Sequence, residues 1–415
     1  MATLPADADL RGVSDAVRAQ FADTLIGDLL TLRRDLHQHP ELAFAEQRTA
    51  AVLERALAAA QPVTMERVAG TGVVARIRGT DPLAPMVAVR GDIDALPIHE
   101  ATGLPFASVH AGVMHACGHD VHASWAVGAA RLLAERPATG DVLIVLQPAE
   151  EIGEGANAIL ASGALREVRA IFGGHVDRRF PVGQVVAQAG SLAAAADTFS
   201  ITLHGRGAHG ARPHESRDPV LGAGLLIAAL QSVVARRVNP ATPAVLTVAT
   251  MTAGSAPNVI PEFATIGGTL RSTDPATRTL LADELTRIAN GIAAAHDLTA
   301  DITIEWGTPP IVNPERPAGW AQRAAASLVG AENVVPLGIT NMGGEDFACY
   351  MESIPGAFLR IGAREPGGEP TPAHTPRFYA ADGCLLVGAA VLAETARVAS
   401  AALAESARSP ELAGA

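Results

Sequence analysis

The chain has 415 residues, more than one ordinary hydrophobic core organises, so two domains are expected. Hydrophobic residues make up 48% and charged residues 18%, which excludes a disordered or fibrous chain. Acidic residues number 43 against 31 basic ones, a net charge of −12 that argues against a nucleic-acid or anionic-membrane partner and suits a solvated surface.

The N-terminal stretch Met1 to Gln20 has no basic region followed by an apolar core, so no signal peptide is read there. The first strong helical pattern runs from Asp23 to His37, with Leu25, Leu29, Leu32 and Leu36 at helical spacing, and Pro40 ends it. A second helix, Arg48 to Ala60, leads into β-like runs at Val73 to Arg78 and Met86 to Arg90. A glycine- and histidine-rich stretch precedes a helix from Ala123 to Arg136 and the apolar run Val142 to Leu146, which reads as a buried strand of an α/β sheet. Ala170 to Phe172 reads as a short strand that stops at Gly173-Gly174.

Near residue 190 the texture changes. Strand Thr198 to Leu203, helix Pro219 to Arg236, strands Val245 to Thr252 and Thr265 to Arg271, helix Pro275 to Ala295 and strand Asp301 to Trp306 follow in turn. That β-α-β-β-α-β order is ferredoxin-like. Pro309-Pro310 punctuates the chain before alternating helix and strand patterns resume. The expected architecture is an α/β catalytic domain in two segments, 1–188 and 309–415, with an α+β domain, 189–308, inserted between them. The longest apolar run, Val220 to Leu230, is shorter than a bilayer requires. Cys117, Cys349 and Cys384 are too few and too scattered for a disulfide scaffold and suit a reducing compartment, so a soluble cytoplasmic protein is expected.

Chemistry concentrates in a few places. His115 to His122 packs three histidines, Cys117 and Asp120 into eight positions in a turn-forming context before a helix, a pattern that suits a metal site. Cys117 and His119 point to one side if that segment is extended. Glu150 and Glu151 directly follow the buried strand, where open α/β sheets place their sites. In an extended segment the two would diverge, one toward a metal and the other toward an open position as general base; the alternative is a solvated charge pair. His175 ends another strand, and His374 sits between Pro372 and Pro376. Cys117, His119, Glu151, His175 and His374 together supply enough N, S and O donors for two divalent cations that share one bridging ligand, with Glu150 left over. Asp94 and Asp92, at the end of the Met86 to Arg90 strand, suit carboxylates that orient metal-bound histidines, or else cap a turn. Gly205 to Gly210 matches the dinucleotide fingerprint literally, but Pro213 and polar residues separate it from the next helix, so nucleotide binding is discounted.

The sequence resembles the metal-dependent aminoacylase and carboxypeptidase family, in the branch of hippurate hydrolases, auxin–amino-acid conjugate hydrolases and bacterial N-acyl-amino-acid amidohydrolases. An ordered series of motifs carries the resemblance: Arg33 to His37 with Pro40 to Leu42, Arg90 to Pro97, His115 to Asp120, Gln147 to Glu151, and Gly174 to Val176. Gly207 to His209, Asn258 to Pro261, Gly268 to Arg271, Glu345 to Phe347 and His374 to Pro376 continue it. The resemblance implies a dinuclear site bridged by Cys117, with His119 and His175 on one metal and Glu151 and His374 on the other. It implies Glu150 as general base and proton donor, His209 polarising the scissile carbonyl of a neighbouring subunit's site, and Asn258 and Arg271 holding the substrate carboxylate. The inserted domain would be a mobile lid that also forms a homodimer or homotetramer. The expected activity is hydrolysis of N-acyl amino acids with Zn²⁺ or Mn²⁺, or alternatively Co²⁺ or Ni²⁺, and with no nucleic-acid or membrane partner. The alternatives are a metallocarboxypeptidase or dipeptidase, and a catalytically silent metal- or metabolite-binding protein on the same scaffold.

Overall fold

A computed structural model describes residues 8–408, so the first seven residues of the N-terminal stretch read above lie outside it. The chain begins with α1 (Asp15–Arg18), α2 (Asp23–Gln38), α3 (Gln47–Ala58), β1 (Thr64–Val68), β2 (Gly72–Ile77) and β3 (Met86–Asp92). It continues with α4 (His119–Glu135), β4 (Val142–Gln147), α5 (Gly155–Ser162), β5 (Val168–Pro181) and β6 (Val185–Val186). Next come β7 (Gly190–Ala193), β8 (Asp197–His204), β9 (Ala208–His209), α6 (Pro219–Arg237), β10 (Ala244–Ala253) and β11 (Val259–Ile260). β12 (Phe263–Ser272), α7 (Pro275–Ala295), β13 (Thr299–Glu305) and β14 (Ile311–Asn313) follow. The chain ends with α8 (Glu315–Val329), α9 (Phe347–Met351), β15 (Gly356–Arg364) and α10 (Gly383–Arg408). These elements form two compact units: one takes the chain up to Gly190, Asn313–Gly338 and the chain from Cys349 on, and the other takes Ser191–Val312 and Ile339–Ala348.

The first unit is built on a seven-stranded sheet of order β1-β2-β4-β3-β5-β15-β6. Its centre is parallel, with β4, β3, β5 and β15 running together, and antiparallel β1, β2 and β6 close the two sides. β3 and β4 are buried along their whole length, as continuous apolar runs in a covered parallel sheet should be. α4 packs on β3 and β4, α10 on β3, β5 and β15, and α2 packs on α4. The second unit has a four-stranded antiparallel sheet of order β10-β12-β8-β13, with α6 and α7 packed against it, which is the ferredoxin-like arrangement. β8 alternates buried and exposed residues, the period-2 signature of a half-covered strand. α6 starts where Asp218 caps it, accepting the Val220 and Leu221 N–H groups.

Two elements differ from the sequence expectation in ways that matter for the site. α4 begins at His119, four positions before the expected Ala123, because Gly118 (φ +88°) turns the chain left-handed into the helix. A Cβ at Gly118 would stand 2.5 Å from Val176 Cγ2, so the turn needs glycine. β5 does not stop at Gly173-Gly174 but runs on to Pro181, since β15 pairs with it through those residues, Phe358 opposite Gly173 and Arg360 opposite His175. The run Val220 to Leu230 lies within a 19-residue helix, and α6 and α10 are both long and apolar enough to cross a membrane by length and composition. α10 is a core helix, with 78% of its apolar window buried.

Candidate metal centre and active site

Gly91 lets the site form. Its place in β3 is so close to the first turn of α4 that a Cβ there would lie 2.4 Å from the His122 carbonyl oxygen. The first turn of α4 therefore rests on the end of the strand, beside Asp92 and Asp94. In that turn His119 and His122, three residues apart, face the same side of the helix.

The two imidazoles have different fates. His119 Nδ1 donates to Asp94, whose carbonyl oxygen is at 2.9 Å and whose Oδ1 is at 3.1 Å. Its Nε2 is buried and has no hydrogen-bond partner among the described residues. His122 Nε2 accepts the Val176 N–H at 3.0 Å, which fixes the proton on Nδ1, and Nδ1 donates to Asp92 Oδ1 at 2.6 Å. Both nitrogens of His122 are thus committed to the protein, and the ring stacks on Trp125 at 4.5 Å between centroids. His115 is also buried, and burial lowers its pKa to about 4, but it joins neither donor group described below.

His175 Nδ1 donates to the Val176 carbonyl at 2.7 Å, which turns Nε2 toward Cys117 Sγ at 3.1 Å. His374 lies in its proline-bracketed loop with φ +62°, anchored by its N–H to the Ala116 carbonyl at 2.8 Å, and its Nε2 is 3.3 Å from Glu151 Oε2. Cys117, His119 and His175 offer donor atoms that all lie within 4.8 Å of one another, and so do Cys117, Glu151 and His374. Cys117 belongs to both groups. It does so from a left-handed turn, not from the extended segment expected, because Gly118 bends the chain between it and His119.

Glu150 and Glu151 likewise do not lie on an extended strand end. Ala149 takes φ +54°, and the chain turns immediately after Gln147. Instead of diverging, the two carboxylates converge, Glu150 Oε2 and Glu151 Oε1 each standing 3.8 Å from His119 Nε2. Glu151 Oε1 is buried without a hydrogen-bond partner among the described residues.

The electrostatics fit a cation. Burial pushes the Cys117 thiol well up, and Glu151 adds to this; burial also takes Glu151 up to about 7. Burial lowers His175 well below the usual histidine range, aided by His122 and Arg360, so its Nε2 lone pair stays available. Burial opposes the charged form of His119, but Asp92 and Asp94 outweigh it and raise the ring well above its usual value. Burial would raise Asp92, yet Arg90, His119 and His122 hold it well below the carboxylate range. The orphaned His119 Nε2 and Glu151 Oε1, with a thiol, imidazoles and carboxylates converging around them, are donors that divalent ions would satisfy.

Asp94 does more than orient one histidine. Its Oδ2 also accepts the Glu151 N–H at 2.9 Å, so a single carboxylate fixes donors from α4 and from the β4 turn. Arg90 ion-pairs with Asp92, and its Nε donates to Gln147 Oε1 at 2.8 Å, tying β3 to the end of β4. Sequence reasoning gave no role to His122, Arg90 or Gln147. His122 carried a signal, its i, i+3 spacing from His119, which becomes legible once the helix is known to start at His119.

His209, Asn258 and Arg271 belong to the other unit. The β9–β11 ladder sets His209 opposite Val259, and the Gly210 N–H donates to the Asn258 carbonyl at 2.7 Å, so His209 and Asn258 flank one small two-stranded antiparallel sheet. His209 is exposed; its Nδ1 accepts the Ala211 N–H at 3.0 Å, which leaves Nε2 as the ring donor. Arg271 lies on β12 opposite Val245.

A model of peptidase family M20/M25/M40 matches residues 88–398. The N-acetyl-L-cysteine deacetylase of Bacillus subtilis is 42% identical over 341 residues, covering 82% of this chain and 81% of that protein. The IAA-amino acid hydrolase ILR1-like 5 of Arabidopsis thaliana is 37% identical over 391 residues, 92% of this chain and 88% of its own. The solved structure of the Bacillus subtilis YXEP protein, described as a dinuclear metal binding peptidase, superposes with a TM-score of 0.80 at 36% identity, covering 91% of this chain and 99% of that one. Fold, donor arrangement and relatives agree: the chain belongs to peptidase family M20/M25/M40.

Proposed function

We propose that the protein hydrolyses the amide bond of N-acyl amino acids, releasing a carboxylic acid and a free amino acid, with two divalent metal ions held by Cys117, His119, Glu151, His175 and His374. The observation that carries this reading is the pair of donor groups sharing Cys117, with both Glu150 and Glu151 beside them. The similarity to an N-acetyl-L-cysteine deacetylase and to an IAA-amino acid hydrolase supports the substrate class.

Bound divalent ions would supply Lewis acidity, lowering the pKa of a water and polarising the acyl oxygen. Glu150 takes the proton of the attacking water and later delivers it to the leaving amine nitrogen. His209 would reach the site of a neighbouring subunit and present its Nε2–H to the developing oxyanion there, and Asn258 and Arg271 would hold the α-carboxylate, a task suited to the fork of guanidinium donors. Asp94 and Asp92 keep the imidazoles in fixed tautomers. Zn²⁺ and Mn²⁺ are the metals we assign, with Co²⁺ and Ni²⁺ compatible with the same mixed donors.

The first unit is the catalytic domain in this reading, and the second is a lid that also mediates a homodimer or homotetramer. Val220, Leu221 and Leu225 are exposed on α6, and β10 is the edge strand of its sheet among the described residues, which together offer an apolar face and a strand for a second copy. Cys117, Cys349 and Cys384 are not joined in disulfides among the described residues, which supports a reducing, cytoplasmic setting.

The test is a panel of N-acetyl and N-benzoyl amino acids and dipeptides, run on protein reconstituted with each metal and on Glu150→Gln. Turnover of the N-acyl amino acids, lost in Glu150→Gln with metal content intact, supports the reading. Turnover of dipeptides alone, or a Glu150→Gln variant with undiminished activity, overturns it.

A further inference from the structure

We propose that Glu46 is a positioning residue for the hydrolysis, its buried carboxylate setting the turn that aims Glu150. The inference rests on Glu150 being the base and says how the chain holds it. Glu46 stands at the N-terminal boundary of α3, where a side chain usually caps its own helix, yet it makes no such bond. It points inward with no exposed surface. One oxygen, Oε1, accepts the Ala149 N–H at 3.0 Å, and Oε2 accepts the Thr71 hydroxyl at 2.5 Å.

Ala149 is the residue that bends the chain into Glu150. Its φ of +54° lies in the left-handed region, which alanine adopts only where the surroundings over-determine it. The surroundings do. The Gln147 carbonyl accepts the Ile93 N–H at 2.9 Å, and the Ala149 carbonyl accepts the Gly155 N–H at 3.1 Å. The Glu150 carbonyl accepts the Gly153 N–H at 2.8 Å, and the Glu151 N–H goes to Asp94. Among these contacts Glu46 supplies the acceptor for the one N–H on the bending residue itself. Two carboxylates from distant parts of the chain, Glu46 and Asp94, thus hold the turn at the backbone amides on either side of Glu150. Asp94 also holds His119, so its loss would disturb the metal donors. Glu46 makes its hydrogen bonds to a hydroxyl and a backbone amide, so its loss should be felt at Glu150 while the donors stay in place.

The experiment compares Glu46→Ala, Glu46→Gln, Thr71→Val and Glu150→Gln in the metal-loaded protein. It measures kcat and KM on an N-acetyl amino acid, bound metal, and amide hydrogen exchange in the Pro148–Gly155 segment. Glu46→Ala should lower kcat on the order of 10²-fold, the scale of a misplaced catalytic group, with KM and metal content unchanged and faster exchange at Ala149. Glu46→Gln keeps a side-chain oxygen for the Ala149 N–H and should restore most of the loss. Thr71→Val keeps the carboxylate but frees it to rotate, and should give a smaller fall in kcat; it also serves if Glu46→Ala does not fold. Wild-type kcat in Glu46→Ala, a loss traced wholly to missing metal, or a Glu46→Gln variant as impaired as Glu46→Ala overturns the assignment of Glu46. If Glu150→Gln is inactive in the same series, the hydrolase reading survives that failure; if Glu150→Gln is fully active, the reading of Glu150 itself falls.

Discussion

Asp94 holds His119 with two acceptors at once, its carbonyl oxygen 2.9 Å and its Oδ1 3.1 Å from Nδ1 of the ring. The imidazole is thereby kept in the tautomer whose Nε2 faces Cys117 and the two glutamates. With Oδ2 on the Glu151 N–H, the same carboxylate sets the distance between donors from two different elements. Asp94→Ala should therefore weaken metal binding about 10–100-fold, and Asp94→Asn, which retains one acceptor, should weaken it less. Competition with a chelator of known affinity measures both. An Asp94→Ala variant with undiminished affinity contradicts the role given to this residue.

Arg33 is fully buried between α2, α4 and the start of α10. It bonds Asp120 Oδ2 at 2.8 Å, Asp382 Oδ1 at 2.9 Å and the Ala380 carbonyl at 3.1 Å, with the Phe106 ring 5.0 Å from its guanidinium carbon. Removing one partner of such a network leaves carboxylates buried without their cation. Arg33→Met should cost about 3–5 kcal/mol of unfolding free energy by denaturant titration. A cost near that of an exposed ion pair would show the network to be dispensable.

His37 donates to carboxylates from both ring nitrogens, Asp120 at 3.0 Å and Glu100 at 3.3 Å, with Arg33 and His115 facing the same group of charges. Burial works to lower its pKa, but Asp120 and Glu100 outweigh burial and raise it above the ordinary value of about 6.5. A folded pKa above the unfolded one means that the His37 contribution to stability is fully present below about pH 6.5 and is lost as the pH climbs through the folded value. The stability gap between wild type and His37→Gln should therefore be widest in mild acid and should narrow in alkali. Denaturant titrations of the two proteins across that range check it; a gap that widens with pH refutes the charged His37.

Leu221 and Leu225, one helical turn apart on α6, are 53% and 40% exposed. If this face seats a second copy, Leu221→Asp with Leu225→Asp should convert the assembled species to monomer in analytical ultracentrifugation while the metal content of each chain stays the same. An unchanged sedimentation coefficient would move the interface elsewhere.

The sequence by itself determined the repertoire of donors and the secondary structure of the inserted unit. Cys117 with His119 and Glu150 with Glu151 are near neighbours in the chain, so their chemistry is visible without a fold. β8 and β13 are half-covered antiparallel strands whose side chains alternate, which writes the period-2 pattern into the residues. Backbone signs that mislead at a distance were decided by packing. Gly173-Gly174 looks like a stop, but the β15 partner carries β5 through it; Ala149 looks extended, but contacts from Glu46 and the following turn bend it.

Only the tertiary structure decided which histidine nitrogen is left for a metal. His119 and His122 are the same residue type on the same helical turn, yet Asp94 frees Nε2 of the first while Val176 occupies Nε2 of the second. Glu46 is illegible for the same reason. A carboxylate acquires its role from what surrounds it once buried, and the amide that Glu46 holds lies 103 residues away in the chain. Residue type and spacing fix the donors that a local segment can offer; burial and long-range hydrogen bonds fix which of those donors remain to be used.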